Sequence, residues 1–534
     1  MSKQRLLAAA WAAFLALPAA AGATEAAEDE ARDEAIFGES TGSTEDASRD
    51  EEIFGESTGS TDDASRDEDI FGESEGSTVV PASTRSEGSG GDGLLSSSQI
   101  DQRLDLAGDK LAIGGLLYLR AQYSGAEGTL VERDPIASPN LLDVYFDARP
   151  NDNLRAFARG RLTHTFAEGQ ATGVDTGFGG EASGADLDQL WINFNLEHRL
   201  FVTAGRQPIR WGASRFWNPT DFVNDRVRDP LAIFDERLGV SLVKVHLPIE
   251  SSGWNLYAIA DLEEASTVEQ MGGAFRVEKL IGSTEVTLST ALRKDRPWRV
   301  GADLSFPLWE FDVRAEVAML YGDEQRYWRG DFDLSSLENG EATLQERVAG
   351  VKLPEAWDRS DEWIPQAVLG ADLAIKYSDE DNVVLGAEYF YNGAGTDDPA
   401  LYPWLLSNGF SPLYLGQHYG AVYANATAPG SWNDTSFTAS VLGNLTDRSF
   451  VGRFDYRVRL LTYLDFNAFV ASHFGEAGEF RLAMQVPRVA ELEGASEEQL
   501  AQLGLGPAMG AMLASGVDQP APLLELGAGL QLRF

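Results

Sequence analysis

The chain of 534 residues contains no cysteine. That absence excludes a disulfide scaffold, a thiolate zinc site, an iron-sulfur cluster and a thiol nucleophile. Histidine is nearly as scarce: His164, His198, His246, His418 and His473 are scattered, without the i, i+4 spacing of a helical zinc site. No phosphate-binding glycine loop with its lysine occurs, so no cofactor, no metal and no enzymatic activity are expected, the alternative being a Ser-His pair served by His164 or His473. Basic side chains are outnumbered two to one, 42 against 84, for a formal net charge of -42. A field of that sign repels a polyanion and argues against nucleic acid as a partner. Nor does any stretch reach the roughly 20 apolar residues that a membrane-spanning helix needs.

What is present begins with a short leader. Lys3 and Arg5 precede an apolar run over residues 6–17 and a small-residue site at Ala21-Gly22-Ala23. This reads as a secretory signal over 1–23, with the mature chain starting near Thr24. Residues 24–93 carry 22 acidic and 4 basic side chains, a net -18. Within them Arg32-Asp33-Glu34-Ala35-Ile36-Phe37-Gly38-Glu39-Ser40 recurs from Arg49 and from Arg66, a period of 17 residues. One Ile-Phe pair per repeat cannot bury enough surface to offset chain entropy, so a disordered acidic tail over 24–109 is expected. Each repeat also fits Gly-x-Ser-x-Gly. A nucleophile elbow, however, needs a strand, a strained turn and a helix around its serine, and none is predicted here. The tail then reads as a solvated spacer, or as a docking motif in which Phe37, Phe54 and Phe71 recruit a periplasmic partner.

From about Lys110 to the end the texture alternates with period two. Phe311, Val313, Ala315, Val317 and Met319 face one way, and Glu310, Asp312, Arg314 and Glu316 the other. Such segments, roughly 9 to 13 residues long, match a tilted strand crossing a bilayer. There are 18 candidates, with 16 as the fallback because those near 272 and 416 are weak. Long connections near 124–140, 165–185, 211–237, 322–365, 393–415 and 475–523 all follow odd-numbered strands. A soluble sandwich has no reason to sort its loops in this way, whereas a membrane barrel has turns at one rim and loops at the other. The expected fold is therefore all-β: a transmembrane, antiparallel, up-and-down barrel of about 18 strands over 110–534. Trp254, Trp298, Tyr321, Tyr377, Tyr389 and Tyr391 would form its interfacial girdles.

The last segment alternates Leu524, Leu526, Ala528, Leu530, Leu532 and terminal Phe534 with Glu525, Gly527, Gly529, Gln531 and Arg533. It looks like the C-terminal strand of bacterial outer-membrane barrels. That resemblance implies recognition of Phe534 by the barrel-assembly machinery, a lipid environment, and the outer membrane of a Gram-negative bacterium with the N-terminal tail in the periplasm.

If the apolar faces meet lipid, the opposite faces line the interior. Asp143, Asp147, Arg299, Asp303, Asp312, Arg314, Glu316 and Asp455 are then pore-lining, and so are two basic ladders, Arg155, Arg159, Arg161 and Arg453, Arg457, Arg459. One reading is a charge-paired wall; the other is a preference for anionic solutes. One loop stands apart, running through Gly205-Arg206-Gln207-Pro208-Ile209-Arg210-Trp211-Gly212, Trp217-Asn218-Pro219-Thr220-Asp221 and Arg226-Val227-Arg228-Asp229. Trp211, Phe216 and Trp217 would anchor it. Arg210, Arg215, Arg226 and Arg228 would pair with Asp221, Asp225 and Asp229, either in a constriction folded into the pore or in an external cap. Arg206, Arg210, Trp211, Trp217, Asn218, Asp221, Arg226 and Arg228 are its candidate residues.

This Gly-Arg-Gln, Trp-Gly and Asn-Pro series resembles a group of proteobacterial porin-like barrels. The resemblance implies a channel that passes or exports solutes, and fixes no substrate. A plugged barrel that recruits a periplasmic partner through the tail is the alternative, and a homo-oligomer, trimeric by analogy with porins of this size, is left open.

Overall fold

The computed structural model describes residues 110–534 apart from 130–134, 169–182, 198, 225, 233–236, 339–340, 379–380, 504 and 506. The signal segment, the acidic repeats with Phe37, Phe54 and Phe71, and Asp225 therefore lie outside the described residues.

The first eleven strands are β1 (Leu111–Ala126), β2 (Ile136–Asn151), β3 (Leu154–Glu168), β4 (Ser183–Leu196), β5 (Leu200–Gln207), β6 (Val240–Ile249), β7 (Trp254–Asp261), β8 (Gly272–Ile281), β9 (Thr284–Leu292), β10 (Trp298–Leu308) and β11 (Phe311–Tyr321). After a small hairpin, β12 (Tyr327–Arg329) and β13 (Glu355–Trp357), come β14 (Trp363–Lys376), β15 (Asn382–Asn392), β16 (His418–Thr427), β17 (Thr435–Asn444), β18 (Ser449–Leu461) and β19 (Leu464–Gly475). A second hairpin, β20 (Met484–Val486) and β21 (Val517–Gln519), precedes β22 (Pro522–Arg533). With the two hairpins set aside, 18 strands pair in chain order, each antiparallel to the next, and β22 pairs back onto β1. The sheet is a closed up-and-down barrel, and both weakly patterned segments are in it, as β8 and β16.

Closure removes the exposed edges that an open sheet of this width would present. The seam is held to its last residue: Gly115 N–H donates to the Phe534 carbonyl at 2.7 Å, and Phe534 N–H donates to Gly115 O at 3.1 Å. One rim carries the short turns at 152–153, 282–283, 309–310 and 462–463, together with Lys110 and Phe534. The opposite rim carries the long connections 208–239, 322–362, 393–417 and 476–521.

The outer face is apolar where a soluble protein would be polar. Ile113, Phe146, Leu162, Leu190, Phe275, Leu288, Val317, Leu369, Val422 and Leu530 are all exposed on strands around the whole circumference. A continuous apolar belt of that extent requires a lipid solvent. Aromatic side chains border it. Trp298, Tyr321 and Trp363 cluster towards the long-loop rim, with ring centroids 5.0 to 5.5 Å apart. Trp254, Trp309, Tyr377 and Tyr463 are exposed at the turn rim. Among the described residues no helix is long and apolar enough to cross a membrane.

Three long connections build a cap with its own core. Leu334, Leu337 and Val348 from 322–362 pack against Val486, Val489, Leu492, Leu500, Leu505 and Leu513 from 476–521. Trp328, Phe332 and Leu482 join Leu401, Tyr402 and Leu405 of the connection between β15 and β16. The sequence predicts a helical turn over 496–503, and a helix spans Glu497–Gln502. The apolar stretch 507–513 is read from sequence as inserting in the barrel or in lipid. Leu513 of that stretch, on the helix Pro507–Ser515, is instead fully buried in the cap.

Candidate functional site

The connection 208–239 leaves β5, returns to β6 and crosses the barrel interior between them. Its partners lie on β8, β10, β11, β14, β15, β16 and β18, a set of strands reachable from β5 only through the lumen. The anchor is a pair of wall carboxylates that collect loop donors. Glu388 on β15 accepts the backbone N–H groups of Arg215, Phe216 and Trp217 at 2.8, 3.0 and 3.0 Å. Glu316 on β11 accepts Ser214 N–H at 2.6 Å, Thr220 Oγ1–H at 2.8 Å and Asn218 Nδ2–H at 3.3 Å. Between them, on β14, Asp372 takes Arg215 Nε–H at 2.8 Å and Arg314 Nη1–H at 2.7 Å. A tight loop leaves its backbone N–H groups without ladder partners, and a buried carboxylate needs several donors, so each supplies what the other lacks.

Aromatic packing completes the anchor. Trp217 is fully buried, stacked on Phe390 at 5.7 Å and flanked by Tyr419 at the same distance. Phe216 meets the Tyr423 ring edge-on at 5.7 Å. The backbone has to come close to the wall for this, and glycine permits it at two places. Gly212 has φ +96°, and a Cβ there would lie 2.8 Å from Glu316. Gly301 on β10 faces the loop, and a Cβ there would lie 2.8 Å from Phe222.

The remainder of the loop is fastened by arginines. Arg299 Nη1–H donates to Phe222 O, and Arg453 Nη1–H to Leu231 O, each at 2.9 Å. Arg228 Nη1–H reaches the Arg215 carbonyl at 2.6 Å. Asp221 accepts Trp211 N–H, Asn224 Nδ2–H and Arg237 Nη1–H.

Part of the pairing expected within the loop is corrected: Arg215 pairs across the lumen with Asp372, and Asp221 with Arg237. Arg228 donates to a carbonyl and also interacts with Asp229, while Arg210 and Arg226 are exposed. Arg206 is not a loop residue. It is the penultimate residue of β5, opposite Ser241, on the face away from buried Gln207, and pairs with Glu263 at 3.1 Å.

Along the wall the expected charges fall on one face. Asp143 takes Arg161 in a fork at 2.8 and 2.9 Å, and Asp147 takes Arg155 at 2.9 Å. Arg159 pairs with Asp188, a residue that sequence reading left out. Its place comes from a bulge in β4: Arg159 opposes Gln189 while Gly160 opposes Leu187, so Asp188 is the extra residue. Asp188 and Gln189 are both buried, whereas Leu187 and Leu190 on either side are exposed to lipid. Arg276, also missed, forks onto Glu278 and Asp303. The second ladder is paired as well: Arg453 with Asp455 at 2.7 Å, and Arg457 and Arg459 with Asp465 at 2.9 and 3.7 Å. Asp312 shares the face of Arg314 and Glu316 and is exposed near the turn rim.

Among the described residues the histidines do not converge. His164 Nδ1 lies 2.7 Å from Ser183 Oγ on the exposed face of β3 and β4. His473 is buried between Phe480 O at 2.6 Å and Glu525 at 3.2 Å. Among the described residues no group of three or more acidic or histidine side chains is placed to hold a metal.

No family model matches the chain, and no curated protein matches it either. Solved structures of outer-membrane proteins are similar in shape. Acinetobacter baumannii OccAB3 is 9% identical, covering 79% of this chain and 99% of its own, with a TM-score of 0.44. OccAB4 of the same organism is 6% identical over 80% of this chain and 98% of its own, TM-score 0.45. Pseudomonas aeruginosa OpdK is 8% identical over 79% of this chain and 99% of its own, TM-score 0.42.

Proposed function

We propose that the chain is a porin-like channel of the outer membrane that lets small solutes cross, and not an enzyme. The observation that carries this reading is the loop 208–239, held across a closed, charge-lined barrel by Glu316 and Glu388. A barrel with a lipid-facing exterior and a polar, ion-paired interior provides a wet path, and a loop pinned inside it sets the limiting width. The turn rim, where Lys110 begins the described chain, is the periplasmic side in this reading. The paired ladders leave a modest preference for anions through Arg155, Arg457 and Arg459, which retain water contact.

Single-channel recording of the full chain in a planar bilayer, with reversal potentials measured in a salt gradient, tests the proposal. Discrete conductance with a reversal sign favouring anions is expected. Silence in every preparation that shows a folded barrel would sink the channel reading.

A further inference from the structure

We infer that residues 62–75 of the acidic N-terminal segment dock on an arginine-rich vestibule at the turn rim of the barrel. The vestibule is built by six neighbouring strands, β18, β19, β22, β1, β2 and β3. Asp465 on β19 is approached by Arg457 at 2.9 Å, Arg533 at 3.5 Å and Arg459 at 3.7 Å. Across β22 and β1, Asp147 is approached by Arg155 at 2.9 Å and Arg149 at 3.1 Å. Among the described residues, five guanidiniums thus gather around two carboxylates. Arg453 of the same ladder reaches the lumen loop, and the two-residue period of a strand puts Arg457 and Arg459 on that inner face.

Deeper in the barrel the signs are matched. Arg159 and Arg161 meet Asp188 and Asp143, and Arg276 meets both Glu278 and Asp303. Among the described residues, arginines outnumber the carboxylates they approach at the rim. There the side chains of Arg149 and Arg459 are about half exposed, that of Arg533 about a third and that of Arg457 about a quarter. Exposed guanidiniums around too few carboxylates make a surface that accepts further carboxylates in bidentate fashion.

The occupant follows from position and charge. The described chain begins at this same rim, where the Lys110 carbonyl accepts Arg149 N–H at 2.8 Å, so the acidic segment is tethered beside the vestibule. Residues 62–75 carry seven acidic side chains, Asp62, Asp63, Asp67, Glu68, Asp69, Glu73 and Glu75, against Arg66 alone. The 34 residues between Glu75 and Lys110 span on the order of 110 Å when extended, so reach does not limit the contact. Tethering makes the encounter intramolecular, at an effective concentration that weak, exposed ion pairs can exploit. The contact is electrostatic and falls away as salt shortens the screening length to about 8 Å at physiological strength and about 3 Å at 1 M. It rests on the barrel's geometry and is independent of whether the barrel conducts.

The test uses the full chain, whose lack of cysteine makes labelling unambiguous. Spin labels on Ser74→Cys and on Asn153→Cys, in the turn between β2 and β3, report the separation by pulsed electron resonance. A short-distance population at low ionic strength is expected, at least halved in 1 M salt. It should also be halved when Asp62, Asp63, Asp67, Glu68 and Asp69 are replaced by their amides, a change that leaves every barrel residue in place. Arg457→Gln with Arg459→Gln should do the same. Distances insensitive to salt and to the amide replacements overturn the docking. A short-distance population that survives the arginine changes assigns the contact to another surface and overturns the vestibule.

Discussion

Glu388 on β15 accepts the backbone N–H of Trp217 at 3.0 Å, although Trp217 belongs to a loop strung between β5 and β6 on the other side of the barrel. Two neighbouring N–H groups bind the same carboxylate, so a single side chain fixes three successive peptide units. Glu388→Gln replaces half of that acceptor with a donor facing donors. The loss should be on the order of 2–3 kcal/mol, and Glu316→Gln should behave alike. In single-channel records both variants should show larger and noisier conductance than the parent. Unchanged traces would separate the loop from the limiting width.

The bulge at Asp188 supports a second expectation. Its carboxylate lies between the buried guanidiniums of Arg159 and Arg161 and accepts Gly239 N–H at 3.1 Å where the lumen loop rejoins the wall. Asp188→Asn keeps the shape and removes the charge, for a cost of about 3 kcal/mol in barrel stability. Gel mobility of heated against unheated samples would record this as a lower unfolding temperature. An equal midpoint would mean that Asp143 suffices for both arginines.

Acidity should tune the cap. Glu479, just after β19, accepts Tyr419 Oη–H at 2.7 Å, Asn444 Nδ2–H at 2.9 Å and Leu415 N–H at 3.1 Å. Burial outweighs these donors and pushes its carboxyl up to about 7 from the ordinary 4.5. Since the folded state holds this proton more tightly, its contribution is complete below pH 4.5. It is lost progressively as pH rises to 7 and changes little above that, on the order of 3 kcal/mol in all. Hydrogen-exchange protection over residues 476–482, taken relative to the intrinsic base-catalysed rate, should therefore be greater at pH 4.5 than at pH 8. Glu479→Gln should flatten the profile, and a slope that persists in that variant would assign the effect to another group.

Phe534 closes the seam through both backbone groups, and its ring lies against Gly115. Removing it deletes the last two hydrogen bonds between β22 and β1. Deletion of Phe534 should reduce the fraction of chains recovered as folded barrel, whereas Phe534→Tyr should preserve it. Equal recovery from the deletion would show that closure does not depend on the final residue.

The strands were legible because a membrane barrel writes its two solvents into alternate residues. Phe311, Val313 and Val317 against Arg314 and Glu316 specify a register as well as an element. Where a bulge breaks that period, as at Asp188, the inward charge was missed, since period-two reading sends the extra residue to lipid. Prolines and tryptophans mark the loop in the sequence, but proximity along the chain does not give its partners. Arg215 instead reaches Asp372, 157 positions away, and no local pattern encodes a contact made across a lumen. The cap was opaque for the same reason, its core being shared between connections that lie more than a hundred residues apart.

The lumen loop also dictates an order of events during folding. Its anchors come from strands later in the chain, at separations of 102 residues for Ser214 with Glu316 and 222 for Leu231 with Arg453. Contacts of such long range form slowly, because the entropy of closing the chain is lost before they repay it. The loop must then wait, undocked, until β18 is in place, and a barrel that has closed on the wrong side of it would be a kinetic trap with every strand correctly paired.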